Sequence, residues 1–420
     1  MIAFATLLLG LVTGPHSIEL LVGPEVAAVE LWLDGERVGR LEGAPWVLEH
    51  DFGRELVPHR LEAIAYDGEG GVLERARQWI NLPRPSAEVS LVLELDPEGR
   101  GSRARLGWES LAAAEPDRVA VSLDGAPVAI DDPREFALPP YDPRQLHFLR
   151  AEVEFGDNVA GLAEATFGGF YAEQVSTALM ALPITVDGPE PALAELAGAF
   201  EAEGRALVPV ALDRGEAEVV VVRDLRAREA LAEVGRDAGF VPAHFGRKTR
   251  TRFLWATGTR RGSDDRYRLF PTSPDIELAR GRLLWHLSHV RWPSGGPEGQ
   301  RLADAVAVAG LNAVRNNRRR AVVLVLGARG DDASQLDPVA VRGYLAALRV
   351  PLYVWSPTAV EWADGPWGAV EDVSTVWKLV QQAREVRHDL ERQRLIWFEG
   401  THLPQRVALR QPVAGVELVR

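Results

Sequence analysis

The sequence predicts a multidomain protein in which two N-terminal all-β sandwiches precede an α/β domain built on a parallel central sheet. Three observations carry this. At 420 residues the chain is longer than a single core organises. Two early segments repeat one strand–turn–strand pattern. The stretch from Ala321 to Trp355 reads as buried strand, polar loop, amphipathic helix and second buried strand, which is one right-handed βαβ unit.

Composition narrows the functions. Hydrophobic residues make up 46% and charged residues 25%, as in ordinary globular proteins, so neither disorder nor a fibrous repeat is expected. The net charge of -13 argues against binding a phosphate backbone, and nucleic acid is not an expected partner. Of the 47 basic residues only Lys248 and Lys378 are lysine, a bias that discounts any single arginine as evidence of contact. With no cysteine, disulfides, thiolate nucleophiles and cysteine-ligated metals are excluded.

The opening run from Ile2 to Val12, followed by Thr13 and Gly14, has the length of a signal-peptide core and suggests export to the periplasm or cell surface, with residues 1–15 removed; the competing reading is a first buried strand. No segment approaches the ~18 apolar residues of a transmembrane helix. Residues 16–84 form the first predicted sandwich and 86–169 the second, with NLPRPSAE (Asn81 to Glu88) as linker. VELWLDGERV (Val29 to Val38) and VAVSLDGAPV (Val119 to Val128) match at Val29/Val119, Leu33/Leu123, Asp34/Asp124, Gly35/Gly125 and Val38/Val128, each an alternating strand entering an Asp-Gly hairpin turn. PHRLEAIAYDGEGG and LHFLRAEVEFGDN repeat a second rhythm. Both segments resemble bacterial immunoglobulin-like modules, which implies β-sandwiches and little about function. Trp32, Trp46, Trp79 and Trp108 fall on their strands as core.

From about residue 170 the pattern changes. An extended strand (YAEQVSTALMALPITV) leads to helical spacing over Pro191 to Gly204, an all-apolar strand at Val219 to Val222, a helix at Leu302 to Val314, a strand at Ala321 to Leu326, a helix at Asp337 to Leu348 and a strand at Val350 to Trp355. A last helix places Val373, Val376, Trp377, Val380, Ala383 and Leu390 on one buried stripe, and the tail finishes as extended structure.

In order, the segments "VSTALMALPITV", "EVVVVRD", "LLWHLSHVRWPSGGP", "LADAVAVAGL", "RRRAVVLVLGARGDDAS" and "LRVPLYVWS" resemble von Willebrand A-related exported proteins of acidobacterial type over about 170–400. The resemblance implies a Rossmann-like domain over 170–420. It also implies a magnesium or manganese ion at the carboxyl ends of the strands, held by an Asp-x-Ser-x-Ser loop, a threonine before the central helix and an aspartate after the next strand. Here the first loop keeps Asp224 but puts Arg226 and Arg228 where the serines stand, Gln300 lies near the threonine position, and Ala328 takes the second aspartate's place, with Asp331, Asp332 and Ser334 following. Two guanidinium groups beside one carboxylate oppose binding a hard cation, so a degenerate, metal-free site is expected, with an arginine replacing the ion and magnesium or manganese as the alternative.

Enzyme motifs are absent: no Walker loop, G-x-G-x-x-G or G-x-S-x-G occurs. His244, His286 and His289 as zinc ligands, and Asp264 with Asp265 or Asp331 with Asp332 as acid–base pairs, are weaker readings than buried histidines and solvated loops. The basic clusters at Arg247 to Arg252, Arg260, Arg261 and Arg318 to Arg320 fit a solvated face. The expectation is a non-enzymatic protein-binding protein of the cell envelope, possessing no cofactor and using the strand carboxyl edge: Asp224 to Arg228, Gly295 to Gln300, Ala328 to Ser334, and exposed Trp362 and Trp367 in the Pro357 to Trp367 loop. A metal-dependent binding protein and an envelope hydrolase are the alternatives.

Overall fold

A computed structural model of the chain describes residues 2–95, 101–145, 147–155, 159–167, 179–236, 241–246, 248–257, 270, 272–277, 282–289 and 299–419. Two compact units are present, formed chiefly by Met1–Glu55 with His59–Ser176 and by Thr177–Arg260 with Phe270–Arg420.

The first unit holds two seven-stranded sandwiches. In the first, β1 (Ile2–Phe4), β2 (Pro15–Val22) and β5 (Val47–Asp51) form one sheet, in the order β1-β2-β5. Its second sheet runs β4-β3-β6-β7, from β3 (Ala28–Leu33), β4 (Glu36–Leu41), β6 (His59–Tyr66) and β7 (Val72–Ile80). In the second sandwich, β8 (Ala87–Leu95), β9 (Gly101–Ser110) and β12 (Glu135–Ala137) oppose β10 (Arg118–Leu123), β11 (Ala126–Pro127), β13 (His147–Glu154) and β14 (Ala160–Phe167). The sheet orders, β8-β9-β12 and β11-β10-β13-β14, repeat the first sandwich strand for strand. The duplication seen in two hairpins therefore extends over all seven strands.

Asp34 and Gly35, and Asp124 and Gly125, all have positive φ (53°, 93°, 51° and 81°), the geometry of a two-residue hairpin that Asp-Gly supplies with little strain. Each aspartate then ties its hairpin to the next strand pair: Asp34 accepts from Arg60 N (2.8 Å) and meets His59 Nδ1 (2.7 Å), and Asp124 does the same with Phe148 N (2.8 Å) and His147 Nδ1 (2.6 Å). In the N-terminal apolar run, Ile2 to Phe4 pair with Val22 to Leu20, and Ile2, Phe4, Leu7, Leu8 and Val12 belong to the first core. Trp108 is buried, whereas Trp32, Trp46 and Trp79 are half-buried rather than fully core.

The second unit is not one continuous α/β domain, as the sequence suggested. It begins with β15 (Leu179–Val186), β16 (Phe200–Ala202), β17 (Arg205–Ala206) and β18 (Pro209–Asp213). The expected helix at 191–204 is a single 3-10 turn, Leu193–Leu196, followed by β16, because Gly198 at φ 74° breaks the spiral and Phe200 enters a ladder with Leu409. The α/β part follows: β19 (Ala217–Arg223), α1 (Ala227–Gly235), β20 (Thr249–Trp255), β21 (Ile276–Glu277), α2 (Leu283–His289), α3 (Leu302–Arg315), β22 (Arg319–Val325), α4 (Pro338–Ala347), β23 (Leu352–Ser356), β24 (Glu371–Asp372) and α5 (Val376–Arg392). Then β25 (Gln393–Glu399), β26 (Val407–Leu409) and β27 (Val416–Leu418) return to sheets β18-β25-β15-β27 and β17-β16-β26. The α/β part is thus inserted into a small sandwich with its own core, including Leu182, Ile184, Phe200, Ile396 and Phe398.

The inserted sheet has the order β21-β20-β19-β22-β23-β24, parallel throughout except for β21. Counted along the insert this is 3-2-1-4-5-6. All seven residues of β19 are buried, as expected for a central strand covered on both faces. The chain leaves β19 toward β20 and returns through α3 to β22 on the other side, which creates a switch point between the carboxyl ends of β19 and β22. On α5 the buried stripe is Leu379, Val380, Ala383, Val386 and Leu390, and Trp377, expected inside, is 77% exposed.

Candidate functional site

Asp224 immediately follows β19 at this switch point. Its carboxylate is wholly buried, so its charge has to be matched inside the protein. Oδ1 accepts from Arg226 N (2.9 Å), Arg226 Nε (3.0 Å) and Gln300 Nε2 (2.9 Å); Oδ2 accepts from Arg226 Nε (3.1 Å) and Gly327 N (3.2 Å). The same guanidinium extends through Nη1 to the Asp331 carbonyl (3.2 Å), and Gln300 Oε1 accepts from Leu225 N (2.8 Å). Asp224, Arg226 and Gln300, assigned from the sequence, therefore converge. With Arg226 only 15% exposed, the pair is interior rather than a surface contact.

Arg228 is not among the partners of Asp224: its backbone N–H donates to Leu225 O, and its charge acts on Arg223. Arg223, at the end of β19, donates to Leu287 O (2.6 Å), and burial, with Arg228 adding repulsion, lowers its pKa to about 10. Ala328 lies exposed beside Gly327 and contributes no ligand atom from its side chain.

The loop after β22 is fastened to the start of α3. Asp332 Oδ1 accepts from Leu302 N (2.8 Å) and Ser334 Oγ (2.7 Å), and Oδ2 from Ala303 N (3.3 Å). Ser334 Oγ accepts from Ala303 N (2.9 Å). These two residues supply helix-capping bonds to the start of α3. Asp331 has an exposed side chain and contributes its carbonyl. Sequence reasoning missed Asp304, whose carboxylate accepts from Leu336 N (3.0 Å) and pairs with Arg301 (2.5 Å); burial raises its pKa despite these bonds. It also missed Gly327. A Cβ there would stand 2.3 Å from Ala227 N and Arg226 C, so only glycine lets the two loops approach. The signal available in the sequence was a glycine directly after the apolar run Ala321 to Leu326.

Trp362 and Trp367 are buried, not exposed anchors. Trp362 Nε1 donates to Gly327 O (2.8 Å), which draws the indole inward under the site, and Arg329 stacks on its ring. The exposed apolar side chains on the loops and helix starts following β22, β23 and β24 are Val339, Val360 and Trp377. Residues 295–298 and Asp264, Asp265, Arg247, Arg260 and Arg261 lie outside the described residues.

His244 Nδ1 accepts from Gly246 N, His286 stacks on Phe253 and His289 on Trp285; the described residues hold no cluster of three or more metal-ligating side chains. Arg250, Arg252 and Arg318 pair with Glu216, Glu218 and Asp275, so these basic side chains are matched within the fold.

No family model and no curated protein matches the chain. Among solved structures it is similar to fibronectin(III)-like modules of Clostridium thermocellum CbhA, at 20% identity, covering 19% of this chain and 93% of that one, with a TM-score of 0.18. It is similar to the central fibronectin-III array of RIM-binding protein, at 11% identity, 46% and 80% coverage and a TM-score of 0.20. A β-glucuronidase of glycoside hydrolase family 2 is similar at 12% identity over 39% of this chain and 19% of that one, with a TM-score of 0.14. None of these likenesses carries a functional argument.

Proposed function

We propose that the inserted α/β part is a von Willebrand A-like domain working without a metal ion, and that the protein is a non-enzymatic binding protein whose partner is another protein. The observation that carries this is the Arg226 guanidinium bonded to both oxygens of buried Asp224 at the switch point. The 3-2-1-4-5-6 order with an antiparallel third strand supports the same reading. A guanidinium supplies a positive charge and directional donors where a divalent cation would supply charge and coordination, and it does so permanently. The binding face is then the strand carboxyl edge, where Val339, Val360 and Trp377 expose apolar surface around this fixed centre.

A photo-crosslinking residue introduced at Val360, with a second at Val208 as control, tests the reading in cells expressing the full chain. The expected result is a discrete protein adduct at position 360 alone, unchanged by chelator. An adduct lost on chelation would favour the metal-dependent alternative, and absence of any adduct at 360 would count against the face.

A further inference from the structure

We propose that the second sandwich carries a proton-operated latch, in which a doubly donating His147 ties the Asp142–Gln145 turn to the Asp124 hairpin and loss of its proton frees the turn. The inference is independent of the binding function proposed above.

The geometry requires two protons on one ring. His147 is buried, with Nδ1 2.6 Å from Asp124 Oδ2 and Nε2 2.6 Å from the Asp142 carbonyl. A carbonyl oxygen can only accept. The Asp124 carboxylate already acts as an acceptor, through Oδ1, for Phe148 N (2.8 Å). A neutral imidazole carries a single N–H and satisfies one of these contacts, leaving a lone pair against oxygen at the other. The imidazolium satisfies both.

The charged groups facing the ring favour that form: Asp124 from the β10–β11 hairpin and Asp142 from the turn. From the remaining neighbours, Tyr141 meets the ring edge-on (4.9 Å) and Phe167 of β14 lies at 5.7 Å, both uncharged. The hydrogen bond to Asp124, then the Asp142 carbonyl, holds the His147 pKa above its ordinary value against the opposing effect of burial. The contribution is therefore complete below the ordinary histidine value near ~6.5 and is lost as pH rises through the raised one.

The sister module supplies an internal control. His59 keeps the contact to Asp34 (2.7 Å), but its Nε2 is buried with no hydrogen-bond partner among the described residues, so a single N–H serves it. Both copies hold the aspartate–histidine pair, and among the described residues the second acceptor is present in the second copy alone.

Hydrogen exchange of the full chain, followed by mass spectrometry from about pH 6 to about pH 9 with rates normalised to intrinsic exchange, tests the latch. The expected result is that protection of the segment containing Tyr141 to Gln145 falls with rising pH. The fall is at most about tenfold per pH unit between the ordinary and raised values, while the segment around His59 keeps its protection. Asp124→Asn moves the loss to lower pH, and Asp34→Asn leaves it in place. Should Asp124→Asn fail to fold, NMR titration of labelled histidines in the wild-type chain decides, with His147 expected to titrate above the ordinary value. Unchanged protection of that segment, equal loss in both sandwiches, or titration of His147 at or below the ordinary value would overturn the proposal.

Discussion

Asp224 is the residue on which the account of the site turns, because a carboxylate with no exposed surface has to find its counter-charge within the protein. Arg226 supplies it, and truncating one partner of a buried pair leaves the other uncompensated. Arg226→Ala is therefore expected to cost about 3 kcal/mol of stability in chemical denaturation. Arg226→Lys should recover only part of this, since one ammonium cannot reproduce the guanidinium's bonds to both the carboxylate and the Asp331 carbonyl. Gly327→Ala is expected to lose about 3 kcal/mol by the same measurement, because the new methyl meets backbone rather than a movable side chain. Asp224, Arg226 and Gln300 were named through the resemblance, whose motif positions fall where a strand ends and a helix begins. The burial of Trp362 and Trp367 was not legible in the sequence: a Pro/Gly setting suggests an exposed loop, and nothing local shows that an indole N–H will find the carbonyl of Gly327, 35 residues away.

Among the elements, buried strands and long helices were readable, since β19 and β22 carry the apolar runs Val219 to Val222 and Ala321 to Val325, and α3 and α4 follow within expected bounds. Short pieces were not. The apolar spacing of Leu193, Leu196 and Phe200 fits a helix locally, and only the ladder to Leu409, contributed from the far end of the chain, makes it a strand. On α5 the helical stripe was correct in period but one residue wide of its edge, which left Trp377 in solvent. Trp377→Ser is expected to change stability by no more than about 0.5 kcal/mol. Thr375→Ala, which removes the hydroxyl that accepts from Lys378 N, is expected to cost about 1 kcal/mol. Thermal unfolding of the two variants side by side distinguishes the roles, and a larger loss for the tryptophan would contradict its placement.

Across the whole molecule, one histidine in each of the duplicated sandwiches is shifted, and the two shifts run in opposite directions. In the first, burial holds His50 below its ordinary value, so its contribution is complete above ~6.5 and is lost as pH falls. In the second, His147 is held above that value and its contribution is lost as pH rises. His50→Gln should flatten the acid side of the stability profile and leave the alkaline side unchanged. The insertion of the α/β part between β18 and β25 escaped the sequence because it depends on pairing segments far apart in the chain, from Asp213 with Leu395 to Ile184 with Leu418. The proposed metal independence of the site is tested most directly by thermal unfolding of the full chain with excess magnesium, manganese or calcium against a chelator control. The account predicts one unchanged transition for the α/β part under all four conditions. A saturable rise, about 2.7 kcal/mol for a cation at 100 times its dissociation constant, would contradict it and return Asp224 to the role of a metal ligand.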